Sequence, residues 1–327
     1  MAEYTFNYII TIHNKQDLIE QVLRGVMHCA GEKSTIYTVL DGCTDATEQI
    51  VDRIIEKSTI SIQKIFADDV HEIRSLNVAL GTIAQTGQGF NITLQDDVII
   101  NDQNLEKHII AIYEHIGYEH VGVLGLRHGV NVVLDEKMKE LKEVDIIESS
   151  YGTGMSTFPL KTGSVIERMV GVRSPECFSF HIIQKMGLLD DALAPYTYDN
   201  HDYSLRCLES GYRNFVASLP FESDVKWGGT RTNPHPEFKK IVDRNKHYLY
   251  SKHKAFLRSK VGKEIYTRCR RARPFSVSGV EFSGEEKRRW LQTYNMQRKS
   301  MLGSLRVFKS KYIHHPIKKF LLTLHII

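Results

Sequence analysis

Apolar residues along the first half of the chain fall into short blocks whose spacing alternates between that of strands and that of helices. FNYIITI (6–12) is β-branched and aromatic throughout, as a strand buried on both faces should be. Leu18, Ile19, Val22, Leu23, Val26 and Met27 then recur at the spacing of one helix face. IYTVL (36–40) predicts a second strand, closed by the turn DGCTD, and Asp45 with Glu48 reads as a capping box for a helix bearing Ile50, Val51, Ile54 and Ile55. ISIQKIF (60–66) predicts a third strand. Ile73, Leu76, Ala79, Leu80 and Ile83 mark a third helix. FNITL (90–94) runs into Gln95, Asp96 and Asp97, and VGVLGL (121–126) is a later strand. Repeated strand–helix units predict an α/β fold with a mostly parallel sheet flanked by helices.

Residues 130–175 are less regular. The charged stretch DEKMKELKE (135–143) and the Gly/Ser/Thr-rich SSYGTGMST (149–157) read as a helix plus loops. From about residue 250 the chain reads as helical and basic, with a break around Arg273 to Gly284.

Composition narrows the class. Hydrophobic residues make up 42% and charged residues 25% of the 327, which suits a globular protein and excludes disorder. The five Cys form no CxxC pair and are odd in number, which argues against a disulfide framework and points to a reducing cytosol. No secretory signal is visible at the N-terminus, and no apolar run reaches the roughly 18 residues of a membrane span. Charge is unevenly placed. From Lys226 onward there are 25 Lys+Arg against 6 Asp+Glu, a net +19, whereas residues 1–225 carry a net −15. An acidic body with a basic tail points to an anionic partner for the tail.

In parallel α/β sheets ligands bind beyond the carboxyl ends of the strands. The polar residues collect there: Thr11 to Asn14, Asp41 to Asp45, and Asp96 with Asp97. Two adjacent carboxylates after a buried strand repel each other, and a divalent cation carrying a phosphate would relieve them; a solvated turn is the plainer alternative. VLDGCTDAT (39–47) is a βα turn whose acidic neighbours suit ribose or base hydroxyls better than bare phosphate. In YDNHDYSLRCLESGYRNF (198–215), Asp199 and Asp202 open a helix ended by Gly211 and are candidates either for a general base or for an N-cap.

IITIHN (9–14), VLDGCTDAT (39–47), TLQDDVII (93–100), GLLDDAL (187–193) and DNHDYSLRCLESGYR (199–213) follow one another in the order found in family 2 glycosyltransferases with the GT-A fold, which residues 5–255 resemble. The resemblance implies a GT-A domain over 1–255 and transfer, with inversion, of a sugar from a nucleotide-diphosphate donor. Thr11 and His13 would lie near the donor's base and ribose, Asp41 in the nucleoside pocket, and Arg74 (in HEIRSLN) at the base or diphosphate. Asp96 would face the ribose and donor sugar, and Asp97 would ligate Mn²⁺ or Mg²⁺. Asp191 would be an acceptor-side carboxylate, and Asp199, with Asp202 second, the base.

The chain departs from the pattern at Leu40, where the family commonly has Asp, and at Asn200, the second position of the usual Glu-Asp. His235 is the nearest candidate for a metal-site His, and GGTRTNP (228–234) reads as a loop near the acceptor. Residues 256–327 form a basic, mainly helical extension in which Trp290, Leu291, Tyr294, Leu302, Leu305 and Phe308 interleave with Lys and Arg. That pattern resembles an interfacial membrane segment. The alternative is packing on the catalytic domain or on a second copy in a homo-oligomer. No nucleic-acid motif accompanies the basic residues, so nucleic acid is not expected as a partner. The combined expectation is a cytoplasmic enzyme docked on the inner face of a membrane, acting on a glycan or lipid-linked acceptor in surface polysaccharide or lipopolysaccharide synthesis. The rival is an inactive nucleotide- or glycan-binding member of the fold.

Overall fold

The structure is a computed structural model, and it describes residues 4–151, 159–223 and 237–285. The strands are β1 (Thr5–Ile12), β2 (Ser34–Asp41), β3 (Ser61–Ala67), β4 (Gly89–Gln95), β5 (Val98–Ile100), β6 (Val121–Gly125), β7 (His128–Asp135), β8 (Glu140–Glu148), β9 (Ser164–Glu167), β10 (Val170–Val172), β11 (Glu176–Ser179), β12 (Arg213–Ala217), β13 (Phe221–Ser223) and β14 (Phe275–Ser276). The α-helices are α1 (Ile19–Cys29), α2 (Thr47–Ile55), α3 (His71–Thr82), α4 (Leu105–Ile116), α5 (Phe180–Met186), α6 (Asp199–Glu209), α7 (Phe238–Arg258) and α8 (Lys260–Arg271).

One large sheet has the order β14-β9-β12-β6-β11-β4-β1-β2-β3. Strands β1 to β4 are mutually parallel, β11 runs antiparallel between β4 and β6, and β12 is parallel to β6. The β-branched blocks form its centre because both faces are covered. On β1, Phe6, Tyr8, Ile10 and Ile12 pack with the inward residues of α1 and α4, whereas Ile9 packs on the other side with α3, α5, α6 and α7. This is the two-residue alternation of a strand, and each such buried side chain contributes about 1.5–3 kcal/mol. The GT-A-type arrangement expected from the sequence, a mostly parallel sheet flanked by helices, is therefore present.

Two local expectations change. Residues 135–143 are not helical: they are the turn and second strand of the β7–β8 hairpin. Asp135 Oδ1 accepts from the backbone N–H groups of Lys137 and Met138, and Lys139 has φ +53°. An Asp side chain that captures nearby amides in this way competes with a helix. The hairpin pairs with β10 in a separate three-stranded sheet, and Glu136 anchors it to α7 through Arg258 and Tyr250. The capping box does not form: α2 is capped at Ala46 with no side-chain bond. Asp45 Oδ1 accepts from Thr47 N at 3.0 Å, while Glu48 turns to Lys64 at 2.9 Å. Gly211, at φ +89°, ends α6 as expected.

Among the described residues no helix is long and apolar enough to cross a membrane. Residues 228–234, His235 and 286–327 lie outside the described residues.

Candidate functional site

A cleft of about 610 Å³ opens beyond the carboxyl ends of β1, β2 and β4 and is closed on the other side by α6 and the start of α7. Thr11, His13, Asp41, Asp96, Asp97 and Asp199 all line it.

The β1 and β2 ends are laced together by short polar links. Thr11 sits in register with Val39 of β2 and Gln95 of β4. Asn14, at φ +49°, accepts through Oδ1 from Thr44 N at 2.8 Å. His13 Nδ1 lies 2.6 Å from Asp41 O, and Asn14 Nδ2 lies 3.1 Å from its Nε2. A carbonyl can only accept, so Nδ1 carries the proton and Nε2 accepts. Asp41 Oδ1 takes Val70 N at 2.8 Å. Gly42, at φ +57°, is required beside it: a Cβ there would stand 2.6 Å from Asp69 Cβ.

Asp96 and Asp97 follow β4. Asp96 accepts from His13 N at 3.0 Å and lies 3.4 Å from Lys15 Nζ. Burial pushes its carboxyl up to about 6, against the pull of Lys15 and His13 N and with the charge of Asp97 adding to the rise. Among the described residues no group of three or more His, Cys, Asp or Glu is arranged to hold a metal ion. The donor set that does face the cleft is two adjacent carboxylates. Hard oxygen donors of this kind fit Mg²⁺ or Mn²⁺ when a bound phosphate and water complete the shell.

The opposite wall is built by α6. Thr197 and Tyr198, both with positive φ, bring the chain into the helix, and neither Asp199 nor Asp202 caps it. Asp199 is 3% exposed, and its Oδ2 lies 2.7 Å from Arg173 Nη2. Burial raises its carboxyl above the usual range; Arg173 opposes this and Glu72 adds to it. Burial pulls the Arg173 guanidinium down, but Asp199, Glu72 and Glu176 more than compensate, so it stays charged. Glu176, on β11 behind Asn200, is pushed by burial up to about 7. Tyr196 and Phe238 stack with ring centroids 5.8 Å apart and also line the cleft. Asn245 of α7, fully buried, directs Nδ2 at the carbonyls of Leu193, Tyr196 and Thr197 at 2.9, 3.1 and 3.0 Å, which fixes the segment leading into α6.

Three sequence candidates stand outside the cleft lining. Arg74 is exposed on α3. Asp191 is exposed on a 3-10 turn, where Oδ1 accepts from Asn77 Nδ2 at 2.8 Å. Asp202 is fully buried among Lys252 (2.6 Å), Arg206 (2.9 Å) and His253 (2.9 Å). Burial would raise its carboxyl, but hydrogen bonds from His253 and Lys252 hold it below the usual value. It faces α7, not the cleft.

Glu72, Arg127, Arg173 and Glu176 escaped the sequence reading. Arg173 and Glu176 flank Pro175 in GVRSPECFSF, where charges interrupt an apolar run; buried charges demand partners, and that was the available signal.

No protein-family profile matches the chain, and no curated protein matches it. Solved structures do resemble it. S. aureus TarS aligns with a TM-score of 0.50 at 16% identity, over 88% of this chain and 48% of TarS. GalNAc-T7, solved with UDP, GalNAc and Mn²⁺, aligns with a TM-score of 0.52 at 12% identity, over 81% of this chain and 54% of that one. The mannosyltransferase PcManGT from Pyrobaculum calidifontis, solved with GDP-Man and Mn²⁺, aligns with a TM-score of 0.50 at 13% identity, over 97% of this chain and 84% of that one. The chain spans about half the length of the first two. At these identities the likeness is one of fold: the chain has the mixed α/β architecture of GT-A glycosyltransferases.

Proposed function

We propose that the protein is an inverting glycosyltransferase of the family 2 type, moving a sugar from a nucleotide-diphosphate donor to a glycan or lipid-linked acceptor. One observation carries the reading. The cleft unites Thr11, His13, Asp41, Asp96 and Asp97, from the ends of parallel strands, with Asp199 on the facing wall. The donor complexes of GalNAc-T7 and PcManGT, which share the fold, support it by analogy.

In this mechanism Thr11, His13 and Asp41 hold the nucleoside. Asp97, with Asp96 beside it, would hold Mn²⁺ or Mg²⁺, which supplies positive charge to the leaving diphosphate. Asp199 takes the proton of the acceptor hydroxyl as its oxygen bonds to the anomeric carbon. The bond to the diphosphate breaks on the opposite face, so configuration inverts. Base catalysis of this kind is worth about 10²–10⁴-fold. The stacked Tyr196 and Phe238 give the acceptor side an apolar surface.

The basic extension is assigned to an anionic membrane surface, on the cytoplasmic side, in surface polysaccharide or lipopolysaccharide synthesis. Its support is the charge pattern of the sequence.

The test is a screen of nucleotide-diphosphate sugars with Mn²⁺, reading melting temperature and donor hydrolysis. A donor at 100 times its dissociation constant stabilises by about 2.7 kcal/mol. A nucleotide that stabilises without turnover under any acceptor condition would favour the inactive binding member, a reading for which Asn200 speaks. Absence of any nucleotide effect would remove the donor site altogether.

A further inference from the structure

Three carboxyl groups, Glu72, Asp199 and Glu176, surround the single guanidinium of Arg173. Arg173 Nη2 reaches Asp199 Oδ2 at 2.7 Å and Glu72 Oε1 at 3.4 Å. Glu72 Oε1 accepts from Gln95 Nε2 at 2.6 Å. A second tie runs through the backbone: Gln95 N donates to Ser174 Oγ at 2.8 Å. Gln95 is the residue before Asp96. Two independent links therefore join the floor around Arg173 to the acidic pair at the end of β4. Arg127, also buried, adds a bond to Ser174 O at 3.3 Å and braces the same connector.

We propose that Arg173 is a positioning residue that locks Asp199 in orientation and couples it, through Glu72 and Gln95, to the Asp96–Asp97 end of the cleft. The role in turnover rests on the glycosyl-transfer reading; the electrostatic coupling does not. An arginine suits this place because its planar, always-charged fork meets two carboxylates with fixed geometry, which an ammonium does not. Its partners are protein carboxylates, so the guanidinium is already engaged before any phosphate arrives.

The charged groups facing Asp199 are Arg173 from the β10–β11 connector, Glu72 from α3, Glu176 from β11 and His201 from its own helix. Without Arg173, three acids crowd together with no permanent cation among the groups facing Asp199. They then bind protons more tightly folded than unfolded, and that stabilisation is lost as pH rises.

The experiment compares wild type with Arg173→Met and Arg173→Lys on three readouts: UDP and GDP affinity with Mn²⁺ by calorimetry, kcat and KM against pH, and ligand-free melting temperature from about pH 5 to 8. For Arg173→Met, kcat falls by about 100-fold or more, the acid limb of the pH profile moves upward, and nucleotide affinity changes by no more than about threefold. Its melting deficit is small at the acid end and grows with pH. Adding Asp199→Asn to Arg173→Met shrinks that deficit, and Arg173→Lys recovers part of kcat. A melting deficit equal at all pH values with an unmoved acid limb would overturn the proposal, as would a large loss of nucleotide affinity with kcat preserved. If the wild type transfers no sugar, the glycosyl-transfer reading fails by itself, and the pH dependence of the melting deficit still decides the coupling.

Discussion

The side-chain amide of Asn200 donates to Glu176 Oε2 across 2.7 Å, immediately behind the wall of the cleft. An amide therefore follows Asp199 on the cleft wall, and a carboxyl that burial raises from an ordinary 4.5 to about 7 stands behind it. The folded state holds the Glu176 proton more tightly than the unfolded state does. The stability it contributes is complete below about pH 4.5 and is lost as pH rises through about 7, a change of up to about 3 kcal/mol. Glu176→Gln should flatten this loss. Urea midpoints measured across the interval check it: the variant gains on wild type as pH rises.

Asp199 and Asp202 lie three residues apart on one helix and should fail in different ways. Asp199→Asn should lower kcat by about 10²–10⁴-fold with nucleotide affinity little changed. Asp202→Ala removes a buried carboxylate from buried His253 and from the more solvent-accessible Arg206 and Lys252, and should cost about 1–3 kcal/mol of stability. Denaturant unfolding beside steady-state kinetics separates the two. Loss of turnover in a fully stable Asp202 variant would instead make Asp202 the base.

In the proposed donor site the acidic pair after β4 would supply two carboxylates, and ligand phosphates would be needed to complete a cation's shell. Mn²⁺ and nucleoside diphosphate should therefore bind cooperatively, each raising the other's affinity by the same factor, expected to be about tenfold or more. Asp97→Asn should abolish that coupling with melting temperature nearly unchanged. Calorimetric titrations of UDP or GDP with and without Mn²⁺ read it directly.

Gly42 has φ +57° and no room for a Cβ against Asp69. Gly42→Ala should cost about 2 kcal/mol or more and disturb the Asp41–Val70 bond beside it. Reduced nucleotide affinity at a temperature where the variant stays folded would trace the effect to the cleft.

Removing residues 286–327 takes away ten Lys+Arg and one Glu. The full chain should co-sediment with vesicles containing anionic lipid at physiological salt, and the shortened protein should not. Retention by duplex DNA in preference to vesicles would reverse the membrane assignment.

The parallel half of the fold was legible because a strand covered on both faces is apolar throughout and its helices keep a regular stripe, as Ile9, Ile10 and the Val22–Val26 face do. The β7–β8 hairpin was not, since only residues such as Val132 and Leu141 are buried there and its solvent-facing charges resemble a helical surface. Cleft residues at strand ends were readable from position alone. Arg173 was not, because its meaning comes from Glu72 and Asp199, which are distant in sequence and arrive from other elements. Asp202 is the converse case: His253, which captures it, lies 51 residues further on, and no local spacing reveals that.

Asn245 ties the turn before α6 to a helix that follows it by more than forty residues. During synthesis every carboxylate of the cleft has emerged by Asp199, yet the turn that aims the last of them is still unsupported. A ribosome stalled before Asn245 would thus carry the whole acidic set without a finished receptor, and competence to bind should appear late in translation, in a single step, when α7 docks.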